Sequence, residues 1–70
     1  MEKDILNMII NHFGCTQKEF AALIDEQPYT VSRWCNGSTR LKAEKLAEIA
    51  KKVNVGYEVN VTIHEIKPIN

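Results

Sequence analysis

Few residues in this chain carry side chains suited to chemistry, and their spacing argues against most of it. His12 and Cys15 stand at a metal-like separation, but two ligands do not make a zinc site. His64 lies far from both, on the polar side of an alternating segment, and Cys15 and Cys35 form no Cys-x-x-Cys pair. There is no nucleophile with a base and an orienting partner, no glycine-rich phosphate loop and no carboxylate pair. Neither catalysis nor a metal or other cofactor is therefore expected. What stands out is a capacity for polar contact in Thr30-Val-Ser-Arg-Trp-Cys-Asn-Gly-Ser-Thr-Arg-Leu-Lys42, where two apolar anchors alternate with polar and cationic residues. A helix built only for packing needs no exposed Arg33 beside a buried Trp34.

Charge concentrates in the same place. The whole chain has a formal net charge of zero, which argues against a sequence-blind nucleic-acid binder. That average hides an asymmetry. Residues 27–52 carry six Lys and Arg against two Glu, whereas residues 1–26 carry two Lys against five acids. The remaining tail has one Lys and two Glu.

The elements that position these groups must come from a small domain. Seventy residues are near the lower limit for one unaided core, and 44% hydrophobic with 26% charged residues is a globular composition. No signal peptide is recognisable, the two cysteines are expected to be free thiols, and the apolar run near Ile5–Ile10 is too short to span a membrane. A soluble, cytoplasmic protein is the expectation.

Residues 3–13 place Ile5, Leu6, Met8, Ile9, Ile10 and Phe13 on a broad apolar helical face, followed by Gly14 as a stop. Thr16-Gln-Lys-Glu19 has the form of a capping box. The helix it opens is expected to bury Phe20, Leu23 and Ile24, to let a neighbour approach at Ala21, and to end near Asp25. Pro28 suits the first turn of a third helix over 28–36, held by Val31 and Trp34 and ended by Asn36-Gly37. A fourth helix runs from about Lys42 to Val53, with Leu46, Ile49, Ala50 and Val53 inside. Tyr57-Glu-Val-Asn-Val-Thr-Ile-His64 alternates with period two and reads as one strand. No second strand is evident, so its partner is expected to be the same strand of another copy.

The segment from Thr16-Gln17 through Val31-Ser32-Arg33-Trp34 to Asn36-Gly37, continued by Leu46-Ala-Glu-Ile-Ala50 and Val53-Asn-Val55, resembles the phage-repressor/Cro-like (XRE) helix-turn-helix family. The resemblance covers roughly residues 4–56, and the strand beyond it is similar to the dimer-forming strand of some Cro proteins. It implies a mainly α, four-helix domain over 1–56, with residues 57–70 as a strand and tail that pair in a dimer.

In that family the second helix of the motif lies in the major groove. Gln27, Pro28, Tyr29, Thr30 and Arg33 would then face base edges, with Arg33 suited to guanine and Gln27 to adenine. Pro28 offers only apolar contact, which shifts base reading to Tyr29 and Arg33. Gln17, Asn36, Ser38, Thr39, Arg40 and Lys42 would hold phosphates, although Asn36-Gly37 is equally a plain helix stop. Lys45, Lys51 and Lys52 are expected to form a solvated face. Tyr57, Val59, Val61, Ile63, Ile66 and Ile69 would form the dimer contact.

Three positions depart from the family pattern. Asp25 replaces the turn glycine, Glu26 an apolar residue, and Cys35 a frequent acid, for which an apolar contact with the first helix is expected to substitute. The expected function is a homodimeric, sequence-specific repressor on a palindromic operator, with 70 residues leaving no room for a ligand-sensing domain. The rival readings are an antitoxin-like protein whose tail binds a partner protein, and an interaction module that does not bind DNA.

Overall fold

The computed structural model describes residues 1–57 and 63–66. Four helices, α1 (Glu2–Phe13), α2 (Gln17–Leu23), α3 (Pro28–Asn36) and α4 (Ala43–Lys52), precede two short strands, β1 (Val55–Tyr57) and β2 (Ile63–Glu65). Each helix contributes a narrow apolar stripe to one shared core: Ile5, Leu6, Ile9 and Ile10 from α1, Phe20 and Ala21 from α2, Val31, Trp34 and Cys35 from α3, and Leu46, Ile49 and Ala50 from α4. Ile24, Leu41 and Val55 complete it from the connecting segments and β1.

The apolar stripes are narrower than the sequence pattern suggests. Leu23 is 60% exposed because it lies on the flank of the stripe that Phe20 and Ile24 define. Met8 falls on the outer side of α1, and Phe13 ends that helix at the rim of the core, its ring 6.5 Å from that of Phe20.

The helix ends show why the connections can be so short. Gly14 and Gly37 take left-handed conformations at the ends of α1 and α3, with φ of 64° and 81°. The tight turn after α2 uses a residue for which the same shape is more costly. Asp25 has φ of 60°, its N–H donates to Ala22 O at 3.3 Å, and the next N–H, from Glu26, donates to Ala21 O at 2.9 Å. This pair of bonds is a Schellman closure around a left-handed residue, and Asp tolerates that region better than most side chains do. Asp25→Gly is therefore expected to stabilise the domain by about 0.5–1 kcal/mol, the left-handed penalty less the extra chain entropy of glycine. Urea unfolding measures this, and a neutral or destabilised variant would show that the Asp25 side chain has a stabilising role of its own.

The C-terminal segment departs from expectation. Tyr57 through His64 is not one strand without a partner inside the chain: Tyr57 ends β1, and Ile63 and His64 begin β2. The two strands pair antiparallel within the chain, with Val55 opposite Glu65, Gly56 opposite His64 and Tyr57 opposite Ile63. The period-two pattern runs across both strands, which is why it reads as continuous. Residues 58–62 and 67–70 lie outside the described residues, and with them the expected dimer contacts Val59, Val61 and Ile69. The hairpin is tied to α4 just beyond the sheet: Asn54, left-handed at φ 61°, accepts from the Ile66 N–H at 3.0 Å and donates its side-chain amide to Ile66 O at 2.7 Å.

Candidate nucleic-acid interface

The apolar anchors of α3 are locked inside, which determines the face left to solvent. Val31 is fully buried and Trp34 and Cys35 are nearly so, all on one side of the helix. At 100° per residue, Tyr29 and Arg33 lie closest to the opposite side. Tyr29 is 64% exposed, Arg33 is exposed, and Thr30 is half-buried on the flank. Gln27 is the N-terminal flanking residue of α3 and Pro28 its first residue, and both are exposed at that end. Pro28 lacks an N–H where a helix has no acceptor to offer it. Tyr29 and Arg33 thus form a solvent-facing ridge on α3, with Gln27 and Pro28 exposed at its N-terminal end and Thr30 on its flank.

Cys35 fits where the family often carries an acid. Burial pushes its thiol up from the usual range, so it serves as an apolar, protonated group. Cys35 belongs to the same buried core as the α1 isoleucines. A polar link accompanies it that the sequence pattern did not suggest: the Asn7 side-chain amide donates to the Cys35 carbonyl at 3.1 Å, joining α1 to the last turn of α3.

The helix before the turn is held at both ends. Thr16 Oγ1 accepts from the Glu19 N–H at 3.0 Å, and Glu19 Oε1 accepts from the Thr16 N–H at 2.8 Å. This box places Gln17, exposed, at the first position of α2. The Thr16 backbone and then its side chain hold the Glu19 carboxyl below the usual glutamate range. A depressed folded pKa means that this contribution to stability is complete above the ordinary glutamate range and is lost as pH falls through the lowered folded value. The stability difference between wild type and Glu19→Gln should accordingly shrink on acidification. A difference independent of pH would remove the carboxylate from this role.

At its other end α2 is tied to α4. Lys52 Nζ donates to Ile24 O at 2.9 Å, using a carbonyl that the helix end leaves free. Lys45 Nζ meets Glu26 Oε2 at 2.8 Å and lies 6.0 Å from the centre of the Trp34 ring. The Glu26 hydrogen bond pushes the Lys45 ammonium up from its ordinary range. Of the three α4 lysines expected to be a solvated face, Lys51 and Lys52 are exposed and Lys45 is half-buried, while Lys45 and Lys52 also bind Glu26 and Ile24 at the turn. The signal lay in Glu26: an acid at an apolar position needs a cation nearby.

The loop after α3 folds back on that helix. The Gly37 N–H donates to Trp34 O at 3.3 Å and the Thr39 N–H to Arg33 O at 3.2 Å, while buried Leu41 pins the far end. Asn36 Oδ1 accepts from the Ser38 N–H at 2.9 Å, so its structural role is real, and among the described residues its amide hydrogens have no acceptor. Ser38, Thr39, Arg40 and Lys42 are all exposed along this loop. The proposed phosphate contacts thus fall into two groups, Gln17 at the start of the motif and the others past its end.

A family model described as helix-turn-helix matches residues 6–59. The chain belongs to the XRE-type helix-turn-helix family. As a member of that family it is a DNA-binding transcription regulator, a class that is not generally enzymatic. No curated protein and no solved structure matches it. In this helix-turn-helix protein the motif comprises α2, the turn at Asp25 and α3, with α1 and α4 as its support. Among the described residues no helix is long and apolar enough to cross a membrane, and no three potential metal ligands cluster. His12 Nε2 instead faces Glu65 Oε1 at 3.6 Å, linking α1 to β2.

Proposed function

We propose that this XRE-type regulator is a repressor of the Cro kind that reads a two-fold operator as a homodimer. The observation that carries the reading is the ridge on α3: its inner face is fixed by Val31 and Trp34, and its outer face presents Tyr29 and Arg33 beside exposed Gln27 and Pro28. Inserted in a major groove, Arg33 would donate two bonds to a guanine, with Gln27, Pro28, Tyr29 and Thr30 contributing the remaining base contacts. Gln17, Asn36, Ser38, Thr39, Arg40 and Lys42 would hold backbone phosphates on either side. Repression would follow from occupying the site.

The dimer has a different footing from the one the sequence suggested. Pairing of β1 with β2 already satisfies the inner edges of the hairpin, so no second copy is needed for them. Support for residues 57–70 as the dimer element comes from the family resemblance, from the two outer strand edges, and from Ile66, 49% exposed beside β2. Half-buried Tyr57 and Ile63 pack against the core and would back the contact. The same outer edges and exposed Ile66 also favour the second reading, an antitoxin-like protein that offers its tail to a different protein.

Selection of bound duplexes from a random pool, followed by sedimentation with one-half-site and two-half-site DNA, separates these readings. A two-fold consensus bound cooperatively by two chains, with half-sites about one helical turn (~34 Å) apart, is the expected result. A monomer on both duplexes without cooperativity would abandon the homodimer in favour of the partner-protein reading. Absence of any salt-sensitive affinity for DNA would remove the base-reading assignment altogether.

A further inference from the structure

The first turn of α1 lies outside the helix-turn-helix motif but against the loop that follows it. A cavity of about 210 Å³ opens there, lined by Met1, Glu2 and Lys3 on one side and by Gly37, Thr39, Arg40 and Leu41 on the other, with Trp34 between them. The Lys3 side chain lies over Gly37: a Cβ added at that glycine would stand 3.5 Å from Lys3 Nζ and 3.6 Å from Lys3 Cδ. Lys3 and Arg40 are both exposed, and among the described residues neither forms an ion pair. Glu2 opposes an anion here, while the terminal amine of Met1 is turned to Asp4 at 4.0 Å.

Two cations lining one opening repel each other until an anion lies between them. The C-terminal carbonyls of α3 attract Lys3, which accounts for its approach to Gly37 but not for Arg40 in the same cavity. The cavity adjoins the end of the helix whose outer ridge carries Tyr29 and Arg33, and it continues the exposed row Ser38, Thr39, Arg40 and Lys42.

We propose that Lys3 and Arg40 each hold a backbone phosphate of duplex DNA at this opening, with Lys3 supplying a contact from outside the helix-turn-helix. This rests on the DNA-binding reading of α3 and extends its phosphate clamp onto α1. Sequence pattern alone hides the site, because its two cations lie thirty-seven positions apart and the acidic first third of the chain masks Lys3.

The test compares wild type, Lys3→Ala, Lys3→Arg and Lys51→Ala on a fixed duplex of mixed sequence at increasing salt. Loss of one phosphate contact should lower the slope of log affinity against log salt by about 0.9, so that a fourfold rise in salt costs the wild type about 3.5-fold more affinity than Lys3→Ala. Lys3→Arg should keep the wild-type slope, and so should Lys51→Ala, which removes a charge from the exposed face of α4. Thermal melting of each variant separates a contact from a structural role. A Lys3→Ala protein with the wild-type slope, whether or not its melting point falls, overturns the proposal and leaves the DNA-binding reading intact. A wild type without salt-dependent affinity overturns both.

Discussion

Truncation of Trp34 to alanine should leave the chain largely unfolded at room temperature. The indole is only 7% exposed, on the core side of α3, and Lys45 approaches its ring from α4. Removing a buried indole costs about 3–5 kcal/mol, from the lost burial of its atoms and the cavity left behind. A chain of 70 residues has a total stability of roughly 3–10 kcal/mol, so one side chain accounts for much of the margin. The loss should appear in far-ultraviolet circular dichroism as reduced helix content and a shallow or absent melt. Trp34→Phe keeps most of the volume and should remain folded with a lowered melting point. If Trp34→Ala melted normally and lost only DNA affinity, the indole would be a surface contact, and α3 would have to turn a different side to the core.

The second large effect separates two arginines of equal charge. Arg33→Ala should weaken specific binding by about 1–3 kcal/mol and relax base choice at one position of each half-site. Arg40→Ala should weaken all sequences alike and lower the salt slope by about one unit. The contrast follows from placement: Arg33 projects from the outer ridge of α3, whereas Arg40 lies on the loop behind the helix end. Repeating the selection from random duplexes with each variant measures both. Equal losses with no change in preferred sequence would show Arg33 to be a phosphate contact as well.

The α-helical part of this architecture was legible because it depends on local rules. The capping residues Thr16 and Glu19, the stops at Gly14 and Gly37, and Pro28 at a helix start each act within one turn of chain. The outward ridge of α3 was legible for the same reason, since Val31 and Trp34 fix its rotation. Contacts between distant positions were not. Lys45 with Glu26, Lys52 with Ile24 and Asn7 with Cys35 join segments nineteen to twenty-eight positions apart, and no periodicity announces them. The hairpin was hidden because alternation says which residues share a face but not where a strand reverses. Gly56, opposite His64, was the available sign: a Cβ there would stand 2.6 Å from the His64 ring, so the position favours a residue without a side chain.

The two hydrogen bonds between Asn54 and Ile66 have a consequence for how the molecule opens. Asn54 follows the end of α4, and its N–H also donates to Lys51 O at 3.2 Å, so one residue closes the helix and anchors the end of the hairpin. Peeling the tail from the body would remove both Ile66 bonds and free the left-handed Asn54 to relax, loosening the last turn of α4 with it. That turn carries Lys52, whose ammonium caps the end of α2. Local unfolding that begins at the C-terminal hairpin is thus channelled toward the turn before α3, and a partner that clamps the hairpin would suppress the same opening from a distance.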